Sequence, residues 1–295
     1  IFTQGKHVKT TTIITDEQIQ NQLRTLLRNM TDDNRTPDNF QKLLNTEILK
    51  DIEGARDTFR SEKFYDIDRY VEGLGTIDKY LEMLGSFYHP STIMTYDNNM
   101  RYSVYSSQDI MSAIRDEREN IFLGIFRRHF LPSIIHFIPN IVGISITSTS
   151  QVIPGLTLAR LIKRANKDIH VTIGGSIFTK LIDNLLRVDT FFSFVDSFVV
   201  FEGEHALLEL AYQLSGKGDL SKVPNLIYRD GGVTRINEPF FIEDVNTLPP
   251  PDYDGFPFGR YHSPEPVLPV QTSRGCYWGK CAFCNLHYDH KHFRP

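Results

Sequence analysis

Cysteine is scarce in this 295-residue chain: there are three, Cys276, Cys281 and Cys284, packed into one short stretch near the end. So tight a set cannot staple a fold with disulfides, which points to a reducing, cytoplasmic setting. Apolar runs long enough to cross a bilayer are also missing. The most apolar segment, 121–138, is interrupted by Arg127, Arg128, His129 and Pro132, too charged and too short to span. There is no excess of basic charge. With 32 Lys and Arg against 36 Asp and Glu, the net charge is −4 and the pI about 6.2, so no nucleic-acid or anionic-membrane partner is expected. No GxGxxG or Walker lysine marks a nucleotide site, no internal repeat is present, and no signal peptide is visible at Ile1.

What is present changes along the chain. The 40% hydrophobic content allows one large domain or two. The leading part reads as helical. A strand is expected at 8–14 and a helix from Thr15, where Gln18 completes a capping box and Ile19, Leu23, Leu26, Leu27 and Met30 share a face. Thr36-Pro37 starts a second helix, and helix is expected to about Phe87 with breaks at Gly73 and Gly75. A strand at 92–96, a helix from Ser107 and a phenylalanine-rich helix to Phe137 follow. In the last, Phe122, Phe126 and Phe130 recur at helical spacing and read as core.

From Asn140, apolar runs alternate with amphipathic ones. Strands are expected at 141–146, 170–173 and 197–201, with helices around Leu158 to Ala165, at 178–186 and around Leu207 to Leu214. Segments 225–228 and 233–236, joined through Asp230-Gly231-Gly232, read as a hairpin. The alternation predicts an α/β fold, a Rossmann-like doubly wound parallel sheet. Seven prolines from Pro249 to Pro269 mark an extended linker that ends in a short strand at 267–270. The expected domains are a mainly helical region at 1–138, the sheet domain at 139–245, and the linker with the start of a further domain at 246–295.

Cysteine thiolates are soft ligands that suit iron–sulfur clusters and zinc. Three of them hold a four-iron cluster and leave one iron open. Adding His287 gives Cys-x4-Cys-x2-Cys-x2-His, a spacing that also suits tetrahedral zinc. Unligated thiols are the third reading.

The stretch RGCYWGKCAFC, 274–284, resembles the cluster loop of the radical S-adenosylmethionine enzymes. Its first gap is one residue longer than the usual CxxxCxxC, as in some cobalamin-binding members. The resemblance implies that Cys276, Cys281 and Cys284 hold a 4Fe-4S cluster supplied by an electron donor. It implies that the open iron chelates S-adenosylmethionine, and that Phe283 lies near the adenine. A strand leading into such a loop is how that family's barrel begins. Most of the barrel is therefore expected beyond Pro295, in a longer protein of which this chain is a fragment.

Ligands of open parallel sheets sit beyond the C-terminal strand ends. Three turns fall there: Ser145-Ile146-Thr147, Gly174-Gly175 and Glu202-Gly203-Glu204. Read alone, such glycines also serve packing or nucleotides. In this order the turns resemble the cobalamin-binding domain found upstream of many radical S-adenosylmethionine domains, whose pattern is Asp-x-His-x-x-Gly, Ser-x-Leu, then Gly-Gly. Ser145 and the glycine pair match, and Thr147 replaces Leu. Asp97, Asn99 and Tyr102 stand where the first element would be, so its histidine is lacking. The resemblance implies cobalamin contacts from Ser145, Thr147, Gly174, Gly175, Glu202 and Gly203.

Together these resemblances imply a cobalamin-dependent radical S-adenosylmethionine enzyme, a methyltransferase or a related radical catalyst. Its substrate would be a small molecule or peptide, and the fragment alone would be inactive. The alternative is a binding module, a zinc-stabilised α/β domain with a structural Cys3His site.

Overall fold

The computed structural model describes residues 46–216, 218–284 and 293–295. The strand expected at 8–14 and the helix starts at Thr15 and Thr36 lie outside them. The chain groups into two units: described residues up to Asp97 with Pro251–Pro269, and Asn98–Pro250 with Val270–Pro295. Among the described residues no helix is long and apolar enough to cross a membrane.

In the first unit, α1 (Thr46–Phe59) and α2 (Ile67–Gly85) pack as a pair. The break between them falls at 60–66, not at the glycines. Asp66 starts α2 by accepting from the amides of Asp68 and Arg69 at 3.1 and 3.3 Å, a side-chain cap on otherwise orphaned donors. Gly73 and Gly75 lie inside α2. A Cβ on Gly73 would stand 3.1 Å from the buried Phe59 ring, so this glycine permits close helix packing instead of ending the helix. The proline-rich segment joins the same unit. His262 stacks on Phe59 at 5.2 Å, and Arg60 Nη2 donates to the Arg260 carbonyl at 3.0 Å. No strand forms at 267–270, and only Thr92–Ile93 of the strand expected at 92–96 is extended.

The second unit opens with α3 (Ser107–Ala113), capped by the Ser106 hydroxyl. The phenylalanine-rich helix is three pieces: α4 (Ile121–Ile125), a π-helical turn at Phe126–Phe130, and α5 (Leu131–His136). Pro132 has no amide to return to Arg128, which loosens the α-helical ladder at this point. The rings of Phe122, Phe126 and Phe130 touch in series, at 5.8 and 5.3 Å between centroids. None is buried and Phe130 is 49% exposed, so the stripe is not core as expected. Ile121 and Leu123 are.

One sheet follows, in the order β1 (Ile141–Ser145), β2 (His170–Gly174), β3 (Ser197–Val199), β4 (Leu226–Asp230) and β5 (Val233–Ile236). β1, β2 and β3 are parallel, whereas β4 and β5 run antiparallel to their neighbours. The sheet is therefore mixed, a correction to the expected doubly wound parallel sheet, and its order follows the chain without reversal. The hairpin forms where expected. Gly231 and Gly232 take φ of 57° and 86°, the left-handed pair that a tight hairpin turn needs.

Helices cover both faces. On one face, α6 (Val152–Ala165), α7 (Ser176–Lys180) and α8 (Ile182–Arg187) bury Leu156, Ile162, Phe178 and Leu185 against Val171, Ile173, Phe198 and Ile227. On the other, α9 (Gly203–Ser215) sets Ala206 and Leu210 against Val199, Leu226 and Tyr228. Successive strand residues point to opposite faces, which is why Phe198 and Val199 serve different cores. Each such large side chain, fully buried, contributes about 1.5–3 kcal/mol. After α9, on the far face, the chain returns to the end of the sheet it left, with Leu226 opposite Val199, and so β4 runs antiparallel to β3.

Candidate functional site

The parallel strands deliver the first two turns to one end of the sheet. Ser145 lies directly opposite Gly174 in register, and the Ile146 amide donates to the Gly174 carbonyl at 2.8 Å. The two glycines differ in role. Gly175 takes φ 109°, and a Cβ there would lie 2.2 Å from the Ile146 carbonyl oxygen. No side chain fits, so the fold itself demands this glycine. A Cβ on Gly174 would make ordinary contact, 3.4 Å from the Val199 carbonyl. Gly143, Ser145, Thr172, Gly174 and Ser197 fall on one sheet face by register. Gly143 and Ser145 are exposed there. The result is a flat strip of small residues at the end of β1 and β2. Thr147 flanks it but is engaged. Its amide and hydroxyl both donate to Gln151 Oε1, at 2.8 and 3.2 Å, in the turn that starts α6.

The third turn has other partners. Glu202 is buried, and its Oε2 accepts from the Ile242 amide at 2.8 Å. Its carboxylate pairs with the guanidinium of Arg294, also buried, and lies 3.4 Å from Nη1 of Arg274. Arg274 bridges onward to Glu204, with Nη1 3.3 Å from Oε2 and a second, closer contact to Oε1. Burial alone would raise the Glu202 pKa. The hydrogen bonds from Arg294 and Ile242, with the charges of Arg294 and Arg274, outweigh burial and hold it below the ordinary carboxylate value.

Two left-handed residues frame this carboxylate. Phe201 has φ 60° and Asn225 φ 58°, uncommon for non-glycine residues, most of all for a bulky one. The Phe201 amide donates to Thr179 Oγ1 at 2.8 Å, and buried Asn225 donates from Nδ2 to the Glu202 carbonyl at 2.8 Å. Gly203 has open space, with no atom nearer than 3.9 Å to a built Cβ.

The cysteine loop starts at this knot. Arg274 and Arg294 exchange backbone hydrogen bonds, 2.8 Å each way. Gly275 and Gly279 take φ of 82° and 59°, and the Gly279 amide points at Cys276 Sγ at 3.5 Å. The Cys284 amide donates to the Cys281 carbonyl at 3.2 Å. All three thiols are exposed, as is Phe283 at 93%. Among the described residues no three His, Cys, Asp or Glu side chains are grouped to hold a metal ion, and His287 lies outside them. By donor chemistry the thiolate triplet fits an iron–sulfur cluster, although here the three do not converge on one centre.

The structure thus gathers Ser145, Thr147, Gly174 and Gly175 at one sheet end and ties the cysteine loop to the Glu202–Glu204 turn. Arg294 and Asn225, which sequence reasoning did not single out, take part in this contact, and Arg274 was noted there only as part of the cysteine motif. Two acids around a glycine, with an arginine just before the cysteines, were the available signal.

No family model matches the chain. It is 35% identical over 152 residues to an uncharacterized methyltransferase of Pyrococcus horikoshii, a match covering 50% of this chain and 32% of that protein. The chain spans about a third of that relative's length. A solved radical S-adenosylmethionine methyltransferase, TsrM from Kitasatospora setae with tryptophan substrate and an S-adenosylmethionine analog bound, is similar at 24% identity and a TM-score of 0.32. That likeness covers 38% of this chain and 22% of that one, too little to equate the folds.

Proposed function

We propose that this chain belongs to a cobalamin-dependent radical S-adenosylmethionine methyltransferase. One observation carries the reading. The Arg-Gly-Cys start of the cysteine loop is bound, through Arg274, to the third turn of a sheet whose first two turns present small residues on an open face. The similarity to a named methyltransferase supports it.

In this reading Cys276, Cys281 and Cys284 hold the 4Fe-4S cluster, and exposed Phe283 offers a backbone edge and a ring to S-adenosylmethionine. Ser145, Gly174 and the small residues beside them accept a flat corrin, while Gly175 keeps the β1 and β2 ends in register. When bound, the cluster supplies the electron that cleaves S-adenosylmethionine, and cobalamin carries the methyl group. The protein's part is to bind, orient and exclude water. A small-molecule or peptide substrate and an electron donor complete the system.

The test is cleavage of S-adenosylmethionine to deoxyadenosine by the intact protein, reduced without oxygen. The account expects cleavage in the parent and none when all three cysteines are Ala. Undiminished cleavage in that variant refutes it.

A further inference from the structure

We infer that Glu202 and Glu204 are positioning residues for the cysteine loop. They form an ionic latch on Arg274 that fixes where the chain enters Cys276. The contact itself stands on geometry, while its purpose rests on the proposed cluster.

Three observations converge. First, the latch is built into the interior. Glu202 is 5% exposed and Arg294 is 3% exposed, and buried ion pairs hold only when their hydrogen bonds are well made. Here the carboxylate also takes the Ile242 amide, while Arg294 Nη1 donates to the Ile242 carbonyl at 2.5 Å. Second, the backbone is bent to aim it. The left-handed Phe201 precedes Glu202, and the left-handed Asn225 grips its carbonyl. Strained residues of this kind persist where surrounding structure over-determines them, often at functional sites. Third, the grip reaches the loop at one point only two residues before Cys276. Arg274 is held by both carboxylates through its side chain and by Arg294 through its backbone. Cys276, Cys281 and Cys284 beyond it are exposed. An anchored stem beside exposed cysteines is what a loop needs if it must hold a cluster at a set distance from the sheet.

The acidic turn therefore acts on the loop through Arg274. Gly203 opens α9, with Glu202 just before it and Glu204 just after.

The experiment uses the intact protein as Glu202→Gln, Glu204→Gln, Arg274→Gln and Arg274→Lys variants. Amide hydrogen exchange at Arg274 and Arg294 is read in metal-free protein, and iron content and the paramagnetic signature of the reduced cluster after reconstitution. Glu204 is half-exposed, so its variant tests the latch even where Glu202→Gln fails to fold. The expected result is exchange at Arg274 faster by about tenfold or more in the Gln variants, as local opening becomes easier, with an altered cluster signature. Arg274→Lys, which keeps the charge, should restore both in part. Unchanged exchange in Glu204→Gln and Arg274→Gln overturns the latch. Faster exchange with an unchanged cluster signature overturns the positioning role. A parent that takes up no iron, with exchange still accelerated, sinks the cluster and leaves the contact standing.

Discussion

The α-carbon of Gly175 lies against the backbone of Ile146, so close that a Cβ would stand 2.2 Å from the Ile146 carbonyl oxygen. This contact locks the turn after β2 to the turn after β1. Replacement by Ala must displace one of the two and occupy φ 109°. Gly175→Ala should cost about 1–3 kcal/mol or more, read as a lower urea midpoint. Gly174→Ala, with room for its methyl, should stay within about 1 kcal/mol of the parent.

Gly174 is consequently where the corrin proposal can be tried without breaking the fold. Gly174→Val enlarges a position opposite exposed Ser145. Overpacking of that kind costs roughly 1–3 kcal/mol, and each 1.4 kcal/mol is about tenfold in affinity. Hydroxocobalamin titration of the intact protein should show binding weakened by about tenfold or more, and no histidine from the usual motif on cobalt. Equal affinity in a folded variant places the ligand elsewhere.

Asn120 joins three elements of the second unit. Its Oδ1 accepts from the Phe122 amide at 3.0 Å, and its buried Nδ2 donates to the Ala113 carbonyl and Thr157 Oγ1 at 3.0 and 2.9 Å. Asn120→Ala removes a helix cap and strands two buried acceptors. A loss of about 1–3 kcal/mol is expected in denaturant unfolding.

His262, stacked on Phe59, has its pKa lowered by burial and then by the charges of Arg60 and Arg56. The unfolded chain, with its imidazole near the usual value of about 6.5, takes up the proton first. Stability from this group is therefore complete above that pH and is lost as pH falls through the folded pKa. The thermal midpoint of the parent should drop as pH falls below about 6.5, and His262→Phe should flatten that slope.

Much of the fold was legible because it follows from local pattern. The runs at Ile141, His170 and Ser197 are strands, and Gly231-Gly232 makes the hairpin turn. The direction of β4 was not legible. It depends on the chain returning after α9 to the same end of the sheet, Leu226 opposite Val199, which no period in the sequence states. Gly73 looked like a helix breaker because its reason, the Phe59 ring, belongs to another helix. The π-helical turn at Phe126–Phe130 keeps a helical spacing of aromatics while changing what they face. The ion pairs of Glu202 were not legible, because its partners, Arg274 and Arg294, lie far along the chain.

The most direct test is metal and sulfide analysis of the intact protein reconstituted without oxygen, compared with single Cys276→Ala, Cys281→Ala and Cys284→Ala variants. The account predicts a brown protein with about four iron and four acid-labile sulfide per chain, lost in each variant. A colourless protein carrying about one zinc and no sulfide, as a Cys3His site would, contradicts it.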